Sequence, residues 1–232
     1  MKRTEQILIS FTLLSLVAAP AGAAGLGPCS AFTDDATYVT STLIMQLEHR
    51  RVPLRVPIEY FEDAWDRVDG VETTAQLFSV DINDFSPVSR PQTSQRNKAG
   101  RHDYMWFLVG DQLSTRQIAL LWVYSFQVSP PDILPAGKDG PAGLSLLETP
   151  ASTDASKAEQ DIFVDYAPNG RDVATAIKCN SPDAPGILVP ICEQVFTTGK
   201  VDVDVSYSRF YLAKWRTIQA DITNFLTCAS KP

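Results

Sequence analysis

Hydrophobic and polar positions alternate most cleanly from Val201 to Tyr207. Val201, Val203, Val205 and Tyr207 fall on one side, with Asp202, Asp204 and Ser206 on the other. A period of two marks a strand with one dry face and one wet face. Four strand-like runs precede it: Gly143 to Glu148, Asp161 to Tyr166, Val173 to Cys179 and Ile191 to Thr197. Pro168-Asn169-Gly170 and Thr198-Gly199-Lys200 supply tight turns, so the five runs predict an antiparallel meander. After it the period lengthens. Trp215, Ile218, Ile222 and Phe225, spaced by three and four, predict an amphipathic C-terminal helix packed on that meander. Burying those four side chains would contribute about 1.5–3 kcal/mol each before entropy is subtracted.

The first half reads as a second group of strands. Leu43 to Glu48 is a short apolar-rich run, His49-Arg50-Arg51 a turn, and Pro53 to Phe61 resumes with alternating character. Gly70 introduces Thr73 to Ile82, rich in Thr, Val and Phe. Asp84 to Gly100 is polar and holds Pro87 and Pro91, which predicts a long exposed loop. Tyr104 to Val109 is almost continuously aromatic and aliphatic, as a buried strand would be. Ser114 and Gln117 form a capping box ahead of Ile118, Leu120, Leu121 and Trp122, predicting a central helix that ends before Ser129-Pro130-Pro131. Residues 127–142, rich in proline and glycine, are the stretch that would join two subdomains, and Asp154 to Gln160 suggests a further helical turn. The expected class is α+β: two groups of antiparallel strands, a central helix, and a C-terminal helix on a five-strand meander.

The N-terminus alters where such a domain would reside. Lys2 and Arg3 precede an apolar run from Ile7 to Ala19, and Ala21-Gly22-Ala23-Ala24 follows. That is the pattern of a secretory signal cleaved after Ala23, leaving residues 24–232 as one α+β domain. The run is too short for the roughly 20 residues that a bilayer crossing requires, and no later segment approaches that length. A lipidated Cys29 fits poorly, because it follows the rigid Pro28 and lies well beyond the apolar run. A soluble periplasmic protein is expected.

The formal charge of −7 becomes one unit more negative without Lys2, Arg3 and Glu5, which argues against gripping nucleic acid or an anionic membrane. Cys29, Cys179, Cys192 and Cys228 form an even set in an exported chain, so they read as disulfides, with three pairings open. A bridge from Cys179 to Cys192 would span the Pro/Gly-rich connection between two strands and leave Cys29 for Cys228. A zinc site would need CxxC spacing or more than His49 and His102.

Signatures of chemistry are weak. Gly143-Leu144-Ser145-Leu146 lacks the second glycine of a nucleophile elbow. His102 beside Asp103 would point away from it on a strand. Asp81-Ile82-Asn83-Asp84 lacks the glycine and distal glutamate of a calcium loop, and reads as a solvated turn. Asp202 and Asp204 share a strand face about 7 Å apart, where paired acids are ordinary. No cofactor is expected. One feature points to a partner: residues 86–102 carry Arg90, Arg96, Lys98, Arg101 and His102 with no acidic residue among them. Such a loop would steer towards an acidic protein surface.

Ile177-Lys178-Cys179, Pro190-Ile191-Cys192-Glu193-Gln194-Val195-Phe196, the hairpin strand Val201 to Tyr207, and Leu212 with Trp215 and Ile218 resemble the ending of a group of exported proteobacterial proteins. Leu54-Arg55-Val56-Pro57 with Tyr60, and Asp84-Phe85-Ser86-Pro87, are similar to their earlier segments. Those proteins sit beside type VI secretion effectors. The resemblance implies an immunity protein that binds and blocks a toxic effector in the periplasm; it transfers no catalytic residue. An envelope protein binding a small ligand between the two strand groups is the alternative, and a hydrolase of unfamiliar type, with His102 as its only candidate base, is a third.

Overall fold

The computed structural model describes residues 27–124, 127, 131–149 and 160–231. Two sheets and three α-helices build its α+β architecture among those residues. Strands β1 (Tyr38–Met45), β2 (Arg50–Pro57) and β3 (Val71–Thr73) form a small sheet in the order β2-β1-β3. β1 and β2 are antiparallel, and β3 joins β1 in parallel. The large sheet has eight strands: β4 (Ala75–Asp81), β5 (Tyr104–Gly110), β6 (Gly137–Asp139), β7 (Ser145–Leu147), β8 (Gln160–Tyr166), β9 (Val173–Asn180), β10 (Ile191–Thr198) and β11 (Val201–Ser208). Their order is β4-β5-β11-β10-β9-β8-β7-β6. The five-run meander is β7 to β11.

The boundary between the strand groups falls earlier than the sequence pattern places it. Thr73 to Ile82 is two strands broken at Thr74, where the Thr73 hydroxyl donates to the Ala75 carbonyl at 2.8 Å. Such a local side-chain bond diverts the backbone from a continuous ladder. β4 therefore leaves the small sheet, pairs with β5, and β5 pairs with β11. Strands from both sides of residues 127–142 thus share one sheet, and part of that stretch is strand β6. The leader and the turn expected at 154–160 lie outside the described residues, save Gln160, which opens β8.

A second correction concerns Asp84 to Gly100. Residues Arg90–Lys98 form helix α1 rather than loop. Its start is a capping box: the Ser89 N–H donates to Gln92 Oε1 at 2.7 Å. Pro91 occupies the first turn, where the missing N–H costs nothing. Helix α2 (Thr115–Val123) starts as expected on Ser114 and Gln117, with the Ser114 N–H donating to Gln117 Oε1 at 3.1 Å.

Helix α3 (Trp215–Ala229) buries Trp215, Ile218, Ile222, Phe225, Leu226 and Ala229 between the two sheets. Phe225 is fully buried among five aromatic rings, Phe32, Tyr60, Phe78, Phe85 and Phe107, with centroids 4.8–5.5 Å away. Phe85 reaches this cluster from a left-handed backbone position, φ 62°. That conformation costs a bulky residue about 1–2 kcal/mol, which its burial offsets. Beside the rings lies a closed polar network. Gln194, wholly buried, donates to Gln219 Oε1 at 3.2 Å and accepts from the Tyr207 hydroxyl at 2.9 Å. The Thr175 hydroxyl donates to the same Gln219 oxygen at 2.8 Å. Burial without charge compensation pushes the Tyr207 phenol far above its ordinary pKa, so it stays a donor.

Two disulfides close the structure. Cys179 and Cys192 are directly opposed on β9 and β10, and Cys29 joins Cys228 near the end of α3. Both belong in an oxidising compartment.

Candidate functional site: the outer face of the large sheet

Opposite α3, the sheet presents a second face, polar along β11 and largely apolar along β8 and in the row through Leu77 and Leu108. The register reads off rows of side chains that cross the strands. One row runs Ser79, Trp106, Ser206, Glu193, Lys178, Ile162. The next runs Leu77, Leu108, Asp204, Val195, Ala176, Val164. Directly opposed residues in such rows stand about 4.5–5.5 Å apart at Cβ.

Half of this face is closed. Helix α2 sets Ala119 and Val123 on Val195, Ala176, Val164 and Ile162, a second and smaller core. Among the described residues the face stays open across β5 and β11, walled by α1 on one side and α2 on the other, while Ser79 of β4 is fully buried. The trough beside α1, about 740 Å³, is lined by Leu77 and Trp106, by Thr93, Asn97 and Ser206, and by the charged Glu62, Arg90 and Lys98. A smaller hollow of about 170 Å³ continues from Ser206 past Glu193 and Lys178 to Ile191.

Aromatic and charged groups are arranged around Ser206. Trp106 is half-buried, with the Tyr104 ring edge-on at 4.9 Å. The Tyr104 hydroxyl donates to Asn97 of α1 at 2.6 Å. Lys178 lies 2.6 Å from Glu193 and 4.7 Å from the centre of the Trp122 ring. The Asp204 carboxyl is pushed up to about 6, chiefly by burial and then by the charge of neighbouring Glu193, against the pull of Lys178.

The five basic residues singled out in the sequence have separate fates. Arg90 is bound by Asp63 and stands 3.7 Å from Glu62. Its hydrogen bond holds the Asp63 carboxyl below the usual carboxylate range. Arg96 bridges Asp81 at 2.6 Å and Asp103 at 3.2 Å. Arg101 pairs with Asp103 at 2.5 Å. Burial works to raise the Asp103 carboxyl, yet the Arg101 bond and the nearby Arg96 charge hold it down. Among the described residues Lys98 and His102 make no side-chain ion pair or hydrogen bond, and of the five Arg90 and Lys98 line the trough. The segment is basic in sequence and largely neutralised in space, because its partners arrive from β4, from the 62–63 turn and from Asp103.

Other candidates resolve similarly. The turn at 81–84 is held by its own bonds: the Asn83 N–H donates to Asp81 Oδ1 at 2.8 Å, and the Ser86 N–H to Asp84 Oδ1 at 2.9 Å. Asp202 is nearly buried rather than wet, accepting from Thr197 Oγ1 at 2.7 Å and the Gln112 N–H at 3.1 Å. Its carboxylate approaches Glu48 and Asp111 within 4.8 Å, far from Glu193 in the row order. Trp106 and Ser206 were not legible as site residues; the one signal was a tryptophan in a strand whose other face is fully apolar.

The class this fold defines is an antiparallel sheet carrying one buried helix and one open, helix-framed face. A solved structure of that class is Smlt3025, an immunity protein of the Stenotrophomonas maltophilia type IV secretion system. It is 13% identical with a TM-score of 0.60, over 86% of this chain and 97% of that one. At this identity the likeness is one of fold. FrpD, an iron-regulated outer membrane lipoprotein of Neisseria meningitidis, aligns at 11% identity and a TM-score of 0.43, over 83% of this chain and 92% of that one, too weak to argue from. No family model and no curated protein matches the sequence. Among the described residues no helix is long and apolar enough to cross a membrane.

Proposed function

We propose that the protein is an exported immunity- or inhibitor-type protein, which binds a toxic effector enzyme in the periplasm and blocks it by covering its surface, with no chemistry of its own. The observation that carries this reading is the near end-to-end likeness of fold to a secretion-system immunity protein. The N-terminal leader, the two disulfides and the open outer face support it. The effector is one delivered into the envelope by a contact-dependent secretion system. The sequence resemblance points to type VI, whereas the fold neighbour is an immunity protein of a type IV secretion system. The mature chain from residue 24 acts as one unit.

The test is survival. Secreted effectors encoded beside this gene are targeted to the periplasm of a sensitive host, with and without the protein. Protection against one of them is the expected result, and killing unchanged across all of them would overturn the reading.

A second reading has one observation in its favour. A cleft of about 560 Å³ lies between β2, the β10–β11 turn and α3, with Val52, Pro53, Val201 and Leu226 as its apolar lining and Thr223 and Thr227 as its polar rim. That is within the size range of small-ligand sites. An envelope ligand bound there would raise the melting temperature, and Leu226→Trp would abolish the rise.

A further inference from the structure

We infer that an extended, acidic segment of the partner protein lies along the free edge of strand β2, in the groove between that edge and helix α3. The inference rests on the binding role proposed above and names a surface and the chemistry of the partner.

An uncovered strand edge is a row of unmade backbone hydrogen bonds, a template for a further strand. Among the described residues the large sheet closes its long edge. Residues 86–88 lie along β4, with the Val88 N–H donating to the Ser79 carbonyl at 3.0 Å and the Asp81 N–H to the Ser86 carbonyl at 2.8 Å. The edge strands β3 and β6 are only three residues long. β2 has eight residues, and no strand lies beyond it. The register shows which of its groups face outwards. Thr40 turns its backbone away from β2, accepting from the Gly70 N–H at 2.8 Å and donating to Asp69 Oδ1 at 2.7 Å. In an antiparallel ladder the residue opposite, Arg55, then also points away, and with it Arg51, Pro53 and Pro57. Both prolines thus sit where a strand does without the N–H. The outward N–H groups of Arg51 and Arg55 have no backbone partner among the described residues.

The groove runs along this edge. One hollow of about 560 Å³ lies against Arg51, Val52 and Pro53, with the β10–β11 turn and α3 across from them. A second, of about 470 Å³, continues past Pro53 and Ser230 to Leu54 and Arg55. From Arg51 to Arg55 is about 13 Å of strand, the length of about four extended residues. Val52, Leu54, Val201 and Leu226 give the groove its apolar lining. Its charged lining has one sign: Arg51 and Lys200 in the first hollow, Arg55 and Lys231 in the second. Glu72 binds Arg51, and the flanking Asp69 is engaged by the N–H and hydroxyl of Thr40. Among the described residues the side chains of Lys200 and Lys231 make no ion pair or hydrogen bond, and Arg55 meets only the Tyr38 ring, 3.3 Å from its centre. In a chain of net charge −7, cations without counter-charges at both ends of an apolar groove suit an occupant with carboxylates at its ends and apolar residues between them. A second copy of this chain does not suit it. Antiparallel pairing of β2 with itself about Pro53 would set Arg51 against Arg55, and like charges directly opposed are destabilising.

The experiment uses the effector against which the wild-type protein protects. The Lys200→Glu, Lys231→Glu double variant reverses two charges that hold nothing in the free chain. Its melting temperature is expected to match wild type while effector binding weakens at least about thirtyfold. Arg55→Ala and Arg55→Pro form a second pair. Both remove the guanidinium, but only proline removes the outward N–H, in a setting like that of Pro53. Arg55→Pro is therefore expected to bind about three- to tenfold more weakly than Arg55→Ala at a similar melting temperature. Lys138→Ala, on a distant surface pair, is expected to bind as wild type. A double variant that folds, binds and protects as wild type would overturn the groove and leave the immunity reading standing. Equal binding by the two Arg55 variants would overturn the strand pairing. A wild-type chain that protects against no effector overturns both the groove and the immunity reading. Sodium decanoate, an anionic apolar probe, supplies the last arm: a rise in wild-type melting temperature, with effector binding indifferent to the charge reversals, would make the groove a small-ligand site and overturn the segment.

Discussion

The two faces of the large sheet use the same alternation to opposite ends. On the inner face, Phe78, Phe107, Val203 and Val205 are buried with no exposure, and the polar side chains among them, Gln76, Thr175 and Gln194, are each hydrogen-bonded. On the outer face, directly behind, Trp106, Leu108, Asp204 and Ser206 reach solvent to varying degrees. The inner face is specified by volume, since cores tolerate little loss of fill. The outer face is specified by which helix covers it, α2 over β8–β10 and, among the described residues, no helix over β5 and β11. A face left open is free to carry recognition, so substitutions on the inner face, under α2 or at the base of α1 should cost stability, and those on the open strip should not.

Phe225→Ala should produce the largest effect. It empties the centre of the aromatic cluster, and losses of this kind cost about 3–5 kcal/mol. The midpoint of urea unfolding should fall accordingly; a change below about 1 kcal/mol would mean that the two sheets do not share a core. Next comes the Cys29–Cys228 bond, which closes a separation of 199 residues and holds the N-terminal segment, with Phe32, against Phe225. Cys29→Ser with Cys228→Ser should cost about 2–4 kcal/mol, the usual range for a native bridge. Denaturant titration with and without reductant checks it: reductant should no longer shift the double variant through this bond.

Local pattern made the inner face legible. The spacing of Trp215, Ile218, Ile222 and Phe225 marked α3, and Val201 to Tyr207 marked β11, because each signal lies within one element. Helix α1 was hidden because only Thr93 of its residues is buried, so it has no apolar stripe to read. Its punctuation, Pro87 and Pro91, reads as loop, although Pro91 sits where a helix accepts proline and Ser89 with Gln92 is a capping box. The outer face was hidden for a different reason. Whether Asp202 is wet or Asp204 half-buried depends on neighbours from β5 and β10, and the pairing of β5 with β11 spans the middle of the chain. No window along the sequence contains that information. The basic run at 90–101 misled in the same way, since Asp63 and Asp81 come from other elements.

Arg96→Ala sharpens the comparison from the outer side. The guanidinium is largely buried and bridges Asp81 and Asp103, so its removal strands two carboxylates at the base of α1. The expected cost is about 2–3 kcal/mol at neutral pH. The cost should shrink as pH falls and Asp103, whose carboxyl the Arg101 bond and the Arg96 charge hold down, protonates. A thermal melt series from pH 7 to pH 3 would show it, and an Arg96→Ala penalty that does not vary with pH would mean that packing, not charge, holds α1.

Asp204→Asn is the smallest of these changes and the one with the opposite sign. The folded-state value near 6 lies above the value of about 3.9 expected in the unfolded chain. A group raised on folding contributes its stabilisation while protonated, below the unfolded value, and loses it as pH rises through the folded one. Wild type should therefore be penalised above pH 6, whereas asparagine, neutral throughout, should not. With allowance for the solvent that still reaches the carboxylate, Asp204→Asn should stabilise the protein by about 1–2 kcal/mol at pH 8 and leave it unchanged near pH 4. If Asp204→Asn proved less stable than wild type at pH 8, the outer face would be a second structural surface, and the division between the two sides of the sheet would fail.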